Sequence, residues 1–478
     1  MLEKIVHIVN QIVWSPALVV LLIVAALYFS IRTRLVQVRR LPLMVRSLFA
    51  RRSASDRGIS SFEAFCVALS GRVGTGNIVG VATAIAMGGP GSIFWMWVIA
   101  FFGASTAFVE STLAQIYRFH DGKIFRGGPF SYIKDGLKSP VFAVLFALMT
   151  ILGYGLLLTT VQANGLSSAT MNAYGMSPWI SGAILAAVLA LVIFGGARGI
   201  SRVAAIVTPF MALAYILLSL MVIGFHIERI PEVLGAIVSG AFGIKPVAGG
   251  ILGSTIMMGV KRGIFSNEAG QGGGAIVSGS ADVPHPVRQG LAQAFSVYVD
   301  TLLVCTATAL MILCSGTYNI IDANTGALLV ENAPELGNNY VNFTQAAVDS
   351  VITGFGSQFV SIALLFFVFT TIMAYYFYSE SALSYLFSLR RRRYPRLEKA
   401  VVNTFRILLL LAVLLGAVKE ADVVWQMGDI GVGILAWINV IALLLLCPKA
   451  IAALNDYEKR TSSGDPSPRY NSDLPGWR

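Results

Sequence analysis

Charge is scarce in this chain. Only 12% of its 478 residues are Asp, Glu, Lys or Arg, about half the share of an ordinary soluble domain. That scarcity excludes a soluble globule. With 56% hydrophobic residues and a mean hydropathy of +0.73, and apolar runs near or beyond the roughly 20 residues that cross hydrocarbon, the chain reads as a polytopic membrane protein. Acids are scarcer than bases, 24 against 35, for a net charge of +11. The surplus does not point to nucleic acid, because Lys and Arg cluster in short loops between apolar segments, the positive-inside pattern. Cysteine is rare. Cys66, Cys305, Cys314 and Cys447 lie in or beside apolar segments, and their spacing offers neither a disulfide framework nor a zinc motif. The four histidines, His7, His120, His226 and His285, are scattered and form no metal cluster. The N-terminal run does not read as a signal peptide either. The first apolar run, about Val13 to Ile31, is long for such a segment, has no basic start and ends at Arg32 and Arg34 without a cleavage site, so it reads as a retained helix.

Hydropathy predicts eleven spans, near 13–33, 60–88, 91–118, 139–172, 177–195, 200–225, 247–280, 286–316, 355–388, 400–419 and 429–452. The basic residues sit in alternate loops: Arg34, Arg39, Arg40, Arg46, Arg51, Arg52 and Arg57; then Arg118, Lys123 and Arg126; Arg198 and Arg202; Arg288; and Arg390 to Arg393. Those loops face the cytoplasm, which puts the N-terminus outside and the C-terminus inside. The longest other loop, Thr317 to Gln345, carries Asp322, Glu331 and Glu335. From Asn455 the chain turns Ser- and Pro-rich and reads as a disordered tail. The organisation expected is an extra helix and basic loop (1–59), two five-helix groups (60–226 and 247–452) and a cytoplasmic tail (453–478).

Two spans look broken. The second holds SGRVGTGNIVGVATAIAMGGPG, Ser70 to Gly91, with Gly71, Gly74, Gly76 and Gly80 beside Arg72, Thr75 and Asn77. Gly weakens a helix, and a buried arginine at membrane depth is costly. Freed backbone groups are tolerated there only inside protein or along a cavity. The seventh holds Lys261, Arg262, Asn267 and Glu268 amid Gly263, Gly270, Gly272, Gly273 and Gly274. Each break opens a five-span group. Paired breaks of this kind mark the site of an inverted-repeat transporter. Five is odd, so the two groups insert with opposite topology.

Broken helices expose half-helix ends, which suit a carboxylate at the amide end and a cation at the carbonyl end. A break at Val73 to Asn77 would turn the amides of Thr75, Gly76 and Asn77 toward a substrate carboxylate. The other reading of these glycines is a helix-packing face. Asn267 and Glu268 would orient the second break or meet the substrate amine, or Glu268 would carry a proton; the same stretch also reads as a plain loop. Thr370 and Thr371, in the apolar helix FFVFTTIMAYYFYSE, can complete an oxygen shell around a monovalent cation, or simply bond back to their own helix. Tyr375 lies one turn beyond Thr371. Glu110, Asp300 and Asp429 are intramembrane acids and so candidates for ion binding or for pairing with Arg72 or Lys261. Gln162 and Asn164 are weaker candidates.

Four stretches carry a resemblance: GRVGTGNIVGVATAIAMGGPGSIFWMW with Glu110 in FVESTLAQIYR, GVKRGIFSNEAG (259–270), HPVRQGLAQAFSVYVDTLLVCTATAL (285–310) and FTTIMAYYFYSE (369–380). From about Phe62 to Tyr457 the chain resembles the alanine or glycine:cation symporter family. The resemblance implies an all-α fold like that of the bacterial leucine transporter, a five-plus-five inverted repeat with one extra N-terminal helix. It implies import of a small neutral amino acid with Na⁺, sometimes H⁺. It places Thr75, Gly76 and Asn77 at the substrate carboxylate, and the carbonyls of Ser70 and Val73 with the hydroxyls of Thr370 and Thr371 around sodium. Asn267, Gln271, Thr371 and Tyr375 complete the substrate set. Gln271 stands where the family has Met, and Tyr375 where it has Trp. Both add a polar group to an apolar wall, which leaves room for serine or glutamine beside alanine and glycine.

The reading is a sodium-coupled amino-acid symporter of the inner membrane, not an enzyme. It needs no cofactor beyond Na⁺ as coupling ion, and its partners are the amino acid, Na⁺ and the bilayer, without nucleic acid. A proton-coupled transporter is the alternative. A channel would favour rings of carbonyls or charges from symmetric subunits, which this chain lacks. A protease would need a convergent catalytic set, which the histidine positions do not supply.

Overall fold

The computed structural model describes residues 2–50, 58–122, 124–243, 252–322, 327–337, 339–390, 394–465 and 468–470. Arg51, Arg52, Arg57, Lys123, Arg391 to Arg393 and the start of the seventh predicted span therefore lie outside the described residues. Among the described residues, apart from two small antiparallel hairpins, Phe119–His120 with Phe125–Arg126 and Asn319–Ile321 with Leu328–Glu331, the regular structure is helical. The main helices are α1 (Leu2–Val13), α2 (Pro16–Arg32), α3 (Ser61–Arg72), α4 (Val81–Gly88), α5 (Gly91–Ile116), α6 (Pro140–Tyr174), α7 (Pro178–Ile193) and α8 (Gly196–Phe225). After them come α9 (Leu252–Asn267), α10 (Gly273–Ser278), α11 (Pro286–Ser315), α12 (Gly356–Ser388), α13 (Pro395–Val418) and α14 (Ala421–Ser462). Proline opens α2, α7, α11 and α13 in their first turns, where its missing N–H costs nothing.

Among the described residues, eight helical segments are long and apolar enough to cross a membrane, with Glu3–Arg32 of α1 and α2 counted as one, and nine if the bent pair Ser61–Arg72 and Gly76–Gly88 is one span. Hydropathy suggests eleven. The difference lies in α7, which has 16 residues, and in the α9–α10 pair, which is interrupted and carries Lys261, Arg262 and Glu268. The packing shows what these polar segments are for. Residues 64–86 and 259–283, apart from Met87 just beyond the first, are buried without interruption. They are surrounded by protein: α3 sits against α8 and α12, and α9 against α5 and α4. The apolar surplus lies outside them, with Leu191, Phe210 and Leu411 exposed on α7, α8 and α13. Freed backbone groups are thus enclosed by protein, the condition for breaking a helix at membrane depth.

The tail departs from its sequence reading. Helix α14 continues to Ser462, past the expected end near Asn455. Charge holds it: Glu458 meets Arg39 at 2.6 Å and Arg40 at 3.0 Å, and Asp456 meets Arg460 at 3.0 Å. Farther on, the Tyr470 amide donates to the Pro284 carbonyl at 3.1 Å. His285, between Tyr457 and Tyr470, accepts from the Val287 amide through Nδ1 and lies 3.2 Å from Asp456 through Nε2. Burial pushes its imidazole down to about 4, against the opposing pull of Asp456. At neutral pH the ring is uncharged, and its contact with Asp456 is a hydrogen bond rather than an ion pair. Residues 466–467 and 471–478 lie outside the described residues.

Candidate functional site

The first break is built by a strong start and a weak end. Ser60 caps α3 in a reciprocal box with Glu63: the Glu63 amide donates to Ser60 Oγ at 3.1 Å and the Ser60 amide to Glu63 Oε2 at 2.7 Å. The helix leaves its path at Val73, whose φ and ψ are −79° and 91°. It resumes through a π-type turn, Gly76–Gly80, bent by 51°. The break frees the carbonyls of Ser70 and Val73. Thr371 Oγ1, from α12, lies 2.8 Å from the first and 3.1 Å from the second, and also 2.8 Å from the carbonyl of Phe367 on its own helix. One hydroxyl proton serves one acceptor well. Three carbonyl oxygens around it therefore leave negative potential unsatisfied, a setting suited to a small hard cation.

Thr370 is turned elsewhere. Its hydroxyl reaches the carbonyls of Phe366 and Phe367 at 2.9 and 3.1 Å and Met211 Sδ at 3.4 Å, and has no hydrogen bond to Ser70 or Val73. A residue next to Thr371 on a helix points about 100° away, so both hydroxyls cannot face one spot from a regular helix without a change of rotamer. The Phe367 carbonyl is absent from the sequence reading. The back-bonding habit of a threonine four residues later is the signal that leads to it.

The amides are partly engaged. Thr75 donates to Gln162 Oε1 at 2.9 Å, Asn77 to the Gly74 carbonyl at 3.2 Å, and Gly74 to Asn77 Oδ1 at 2.8 Å. Gly74 is the steric key. A Cβ there would lie 2.6 Å from Thr371 Oγ1 and 2.7 Å from Gln162 Oε1. Gly76 is less confined, with Phe265 at 3.1 Å from its hypothetical Cβ. Asn77 Nδ2 donates to Asp300 Oδ1 at 2.7 Å, and Asp300 also accepts from Ser266 and Thr301. Asp300 lies in a second π-type segment, Tyr298–Cys305. A third such segment, Gly153–Leu158, carries Tyr154. Such bulges in otherwise regular helices recur at functional sites.

The second break follows Asn267. Gly270 and Gly272 take φ of 89° and 95°, and Glu268 takes 55° without being glycine, an arrangement that non-glycine residues adopt only under constraint. Asn267 Oδ1 accepts from the Ala269 amide at 2.9 Å, while its Nδ2 is buried without a partner. Gln271 Nε2 donates to the Ile264 carbonyl at 2.6 Å, and Tyr154 donates to its Oε1 at 3.4 Å. Tyr375 packs against Tyr154 at 5.1 Å and interacts with the Gln162 side chain. Both departures from the family pattern thus have protein partners. Thr75, Asn77, Asn267, Gln271, Thr370 and Thr371 are fully buried, and Tyr375 is 2% exposed.

Buried charge surrounds this centre. Asp429 pairs with Lys261 at 2.7 Å and Arg262 at 2.6 Å, and the Arg262 guanidinium lies 5.3 Å from the Phe265 ring and 5.0 Å from the Trp425 ring. Trp14, in the turn between α1 and α2, donates to the Asp429 carbonyl at 2.8 Å. Of the intramembrane acids, Asp429 is thus the one with ion-paired cations. Glu110 Oε2 accepts from Asn439 at 3.0 Å, and Asn439 in turn accepts from Tyr132. Arg72 reaches Gln293 and the Ser296 hydroxyl. Ser266, Thr301, Tyr154, Tyr378 and Asn439 went unnoticed in the sequence, because a lone polar residue in an apolar run carries no spacing signal.

Backbone and side-chain groups freed by two breaks, facing each other inside a bundle, are a means of holding a small solute or ion in transit. The class they define is a multi-pass membrane transporter, not an enzyme. A model of the sodium:alanine symporter family matches residues 1–472, and the chain belongs to that family. It is 48% identical over 457 residues to YrbD of Bacillus subtilis, across 95% of this chain and 92% of that protein. It is 45% identical over 423 residues to the sodium/proton-dependent alanine carrier protein of Bacillus sp. (strain PS3), across 88% and 92%. A Bacillus subtilis protein named probable sodium/glutamine symporter GlnT is 41% identical over 464 residues, across 97% and 92%.

Proposed function

We propose that this amino-acid symporter couples Na⁺ entry to import of a small neutral amino acid by alternating access. One observation carries the reading: the Thr371 hydroxyl meets the Ser70 and Val73 carbonyls where the first helix is broken. In this reading Na⁺ sits among those oxygens and the Phe367 carbonyl, and a rotamer change brings Thr370 into the shell. The substrate carboxylate takes the amides at Thr75 to Asn77, displacing Gln162 Oε1 from the Thr75 amide. Asn267, with its unpartnered Nδ2, completes the polar end, and Gln271, Tyr375 and Thr371 line the side-chain pocket. The two breaks head two five-helix groups of opposite topology, as in the bacterial leucine transporter, preceded by one extra helix. The N-terminus is outside and the C-terminus inside the plasma membrane.

The relatives include an alanine carrier and a glutamine symporter by name, and alanine, glycine, serine and glutamine are the substrates to compare. The test is uptake of labelled alanine into proteoliposomes under an inward Na⁺ gradient, with choline as the control ion and each neutral amino acid as competitor. Saturable uptake that needs Na⁺ supports the reading. Saturable uptake driven equally by a pH gradient without Na⁺ favours the proton-coupled alternative, for which the buried Glu268 is the supporting observation. Non-saturable cation flux without amino acid would overturn both.

A further inference from the structure

Among the described residues, seven ionisable side chains are buried in the middle of the bundle: the acids Glu110, Glu268, Asp300 and Asp429, and the cations Arg72, Lys261 and Arg262. Arg126 and Asp282 are buried nearer the polar loops. There Arg126 pairs with Asp121 at 3.0 Å and Glu380 at 3.7 Å, and Arg118 lies within electrostatic reach of Asp282. The central set is therefore four negative to three positive. Lys261 and Arg262 are both committed to Asp429. Arg72 is left with three carboxylates in reach and hydrogen-bonds only neutral acceptors, Gln293 and Ser296. An unmatched buried carboxylate is costly, so a mobile cation or a proton must make up the missing charge.

The hydrogen bonds say where the proton goes. Asp300 accepts from the Asn77 amide, which can only donate, and from the Ser266 and Thr301 hydroxyls. Glu110 Oε2 accepts from the Asn439 amide, which can only donate, while its Oε1, like that of Glu268, is buried without a hydrogen-bond partner. Glu268 has one partner, the Tyr378 hydroxyl at 3.2 Å, which can donate or accept, and its Oε1 is buried with no partner at all. The groups facing it are Arg72 from α3, Glu110 from α5, Tyr154 from α6, Asp300 from α11, and Tyr375 and Tyr378 from α12. Thr371 and Tyr378 stand seven residues apart on α12, two turns along one face and so about 10 Å apart. Thr371 at the cation oxygens and Tyr378 at Glu268 thus share one stripe of one helix.

We propose that Glu268 carries a proton in the sodium-free protein and releases it as Na⁺ enters the oxygens around Thr371. The proton leaves the carboxyl for water, the O–H electron pair stays on the carboxylate, and Na⁺ restores the positive charge, so the centre never holds the unmatched anion. This rests on the sodium site proposed above. Charges separated by roughly the 10 Å spacing of Thr371 and Tyr378, at the effective dielectric of a protein interior, influence each other on the order of tenfold.

The test uses purified full-length protein in weakly buffered detergent solution with a pH-sensitive dye. NaCl should release protons where choline chloride does not. The Na⁺ concentration for half-maximal effect should rise on the order of tenfold from about pH 9 to about pH 5. In Glu268→Gln the release should vanish and the sodium midpoint become flat with pH, while Glu110→Gln keeps both. Should the Gln variant fail to fold, the parent protein decides. Dicyclohexylcarbodiimide, which modifies buried protonated carboxyl groups, should label Glu268 in K⁺ medium and be blocked by Na⁺. Sodium-stabilised protein that releases no protons overturns the proposal. So does proton release that persists in Glu268→Gln, or labelling that falls on Glu110. Absence of Na⁺-dependent uptake or stabilisation would instead count against the sodium site itself, so the two failures are separable.

Discussion

Replacing Thr371 with valine tests the cation site most directly. Valine keeps the β-branch and nearly the volume, and removes one oxygen. That oxygen lies 2.8, 3.1 and 2.8 Å from the carbonyls of Ser70, Val73 and Phe367. As a ligand to Na⁺ it acts as a polar contact to a charged group, worth about 1.5–3 kcal/mol. At 1.4 kcal/mol per decade this is a roughly 10- to 100-fold weakening of sodium binding. The folding cost is smaller, about 1 kcal/mol for a neutral hydrogen bond, because the three carbonyls remain near one another. The assay is the initial rate of alanine uptake into proteoliposomes at varied Na⁺ and constant ionic strength. The half-saturating Na⁺ concentration should rise by that factor, with the rate recovering at high Na⁺. Thr370→Val should shift it less, since the Thr370 hydroxyl starts out bonded to its own helix. A Thr371→Val midpoint within about threefold of the parent, about 0.6 kcal/mol, would refute the assignment.

Three further outcomes follow from the geometry. Gly74→Ala places a Cβ 2.6 Å from Thr371 Oγ1 and 2.7 Å from Gln162 Oε1; uptake should fall at least about tenfold with an overpacking cost of roughly 1–3 kcal/mol, and normal uptake at normal abundance would show the break is roomier than described. Asp429→Asn leaves Lys261 and Arg262 without their carboxylate; thermal stability should drop by roughly 3–5 kcal/mol, with partial recovery in Asp429→Asn/Lys261→Met, and an unchanged unfolding midpoint would show that these cations find other partners. His285 is held near 4 against an ordinary value near 6.5; its docked form binds fewer protons than its released form, so tail docking should weaken as pH falls from about 6.5 through 4. Hydrogen exchange at the Tyr470 amide, corrected for its intrinsic pH dependence, should accelerate across that window in the parent and not in His285→Gln.

The sequence by itself determined that this chain crosses a membrane many times, because hydropathy and loop charge are local properties summed over short windows. It also marked the two segments that ordinary spans could not contain, since Gly74, Gly76, Gly270 and Gly272 beside Arg72 and Glu268 contradict both helix propensity and lipid solvation. The family was legible from the same stretches. Tertiary structure alone decided which polar groups meet. Thr371 and Ser70 are 301 residues apart, and nothing in either neighbourhood tells which of two adjacent threonines turns toward the break; helix rotation and packing against α3 and α8 settle that. Asp429 becomes the partner of Lys261 and Arg262, and Gln271 and Tyr375 acquire protein partners, only once α6, α9, α12 and α14 are brought together. The ordered end of α14 was hidden for the same reason. Its Ser- and Pro-rich composition reads as disorder, and the charges that hold it, Arg39 and Arg40, lie more than 400 residues earlier in the chain. Local pattern fixes what a segment must avoid; long-range contact, where free energy depends on distance in space rather than along the chain, fixes what it touches.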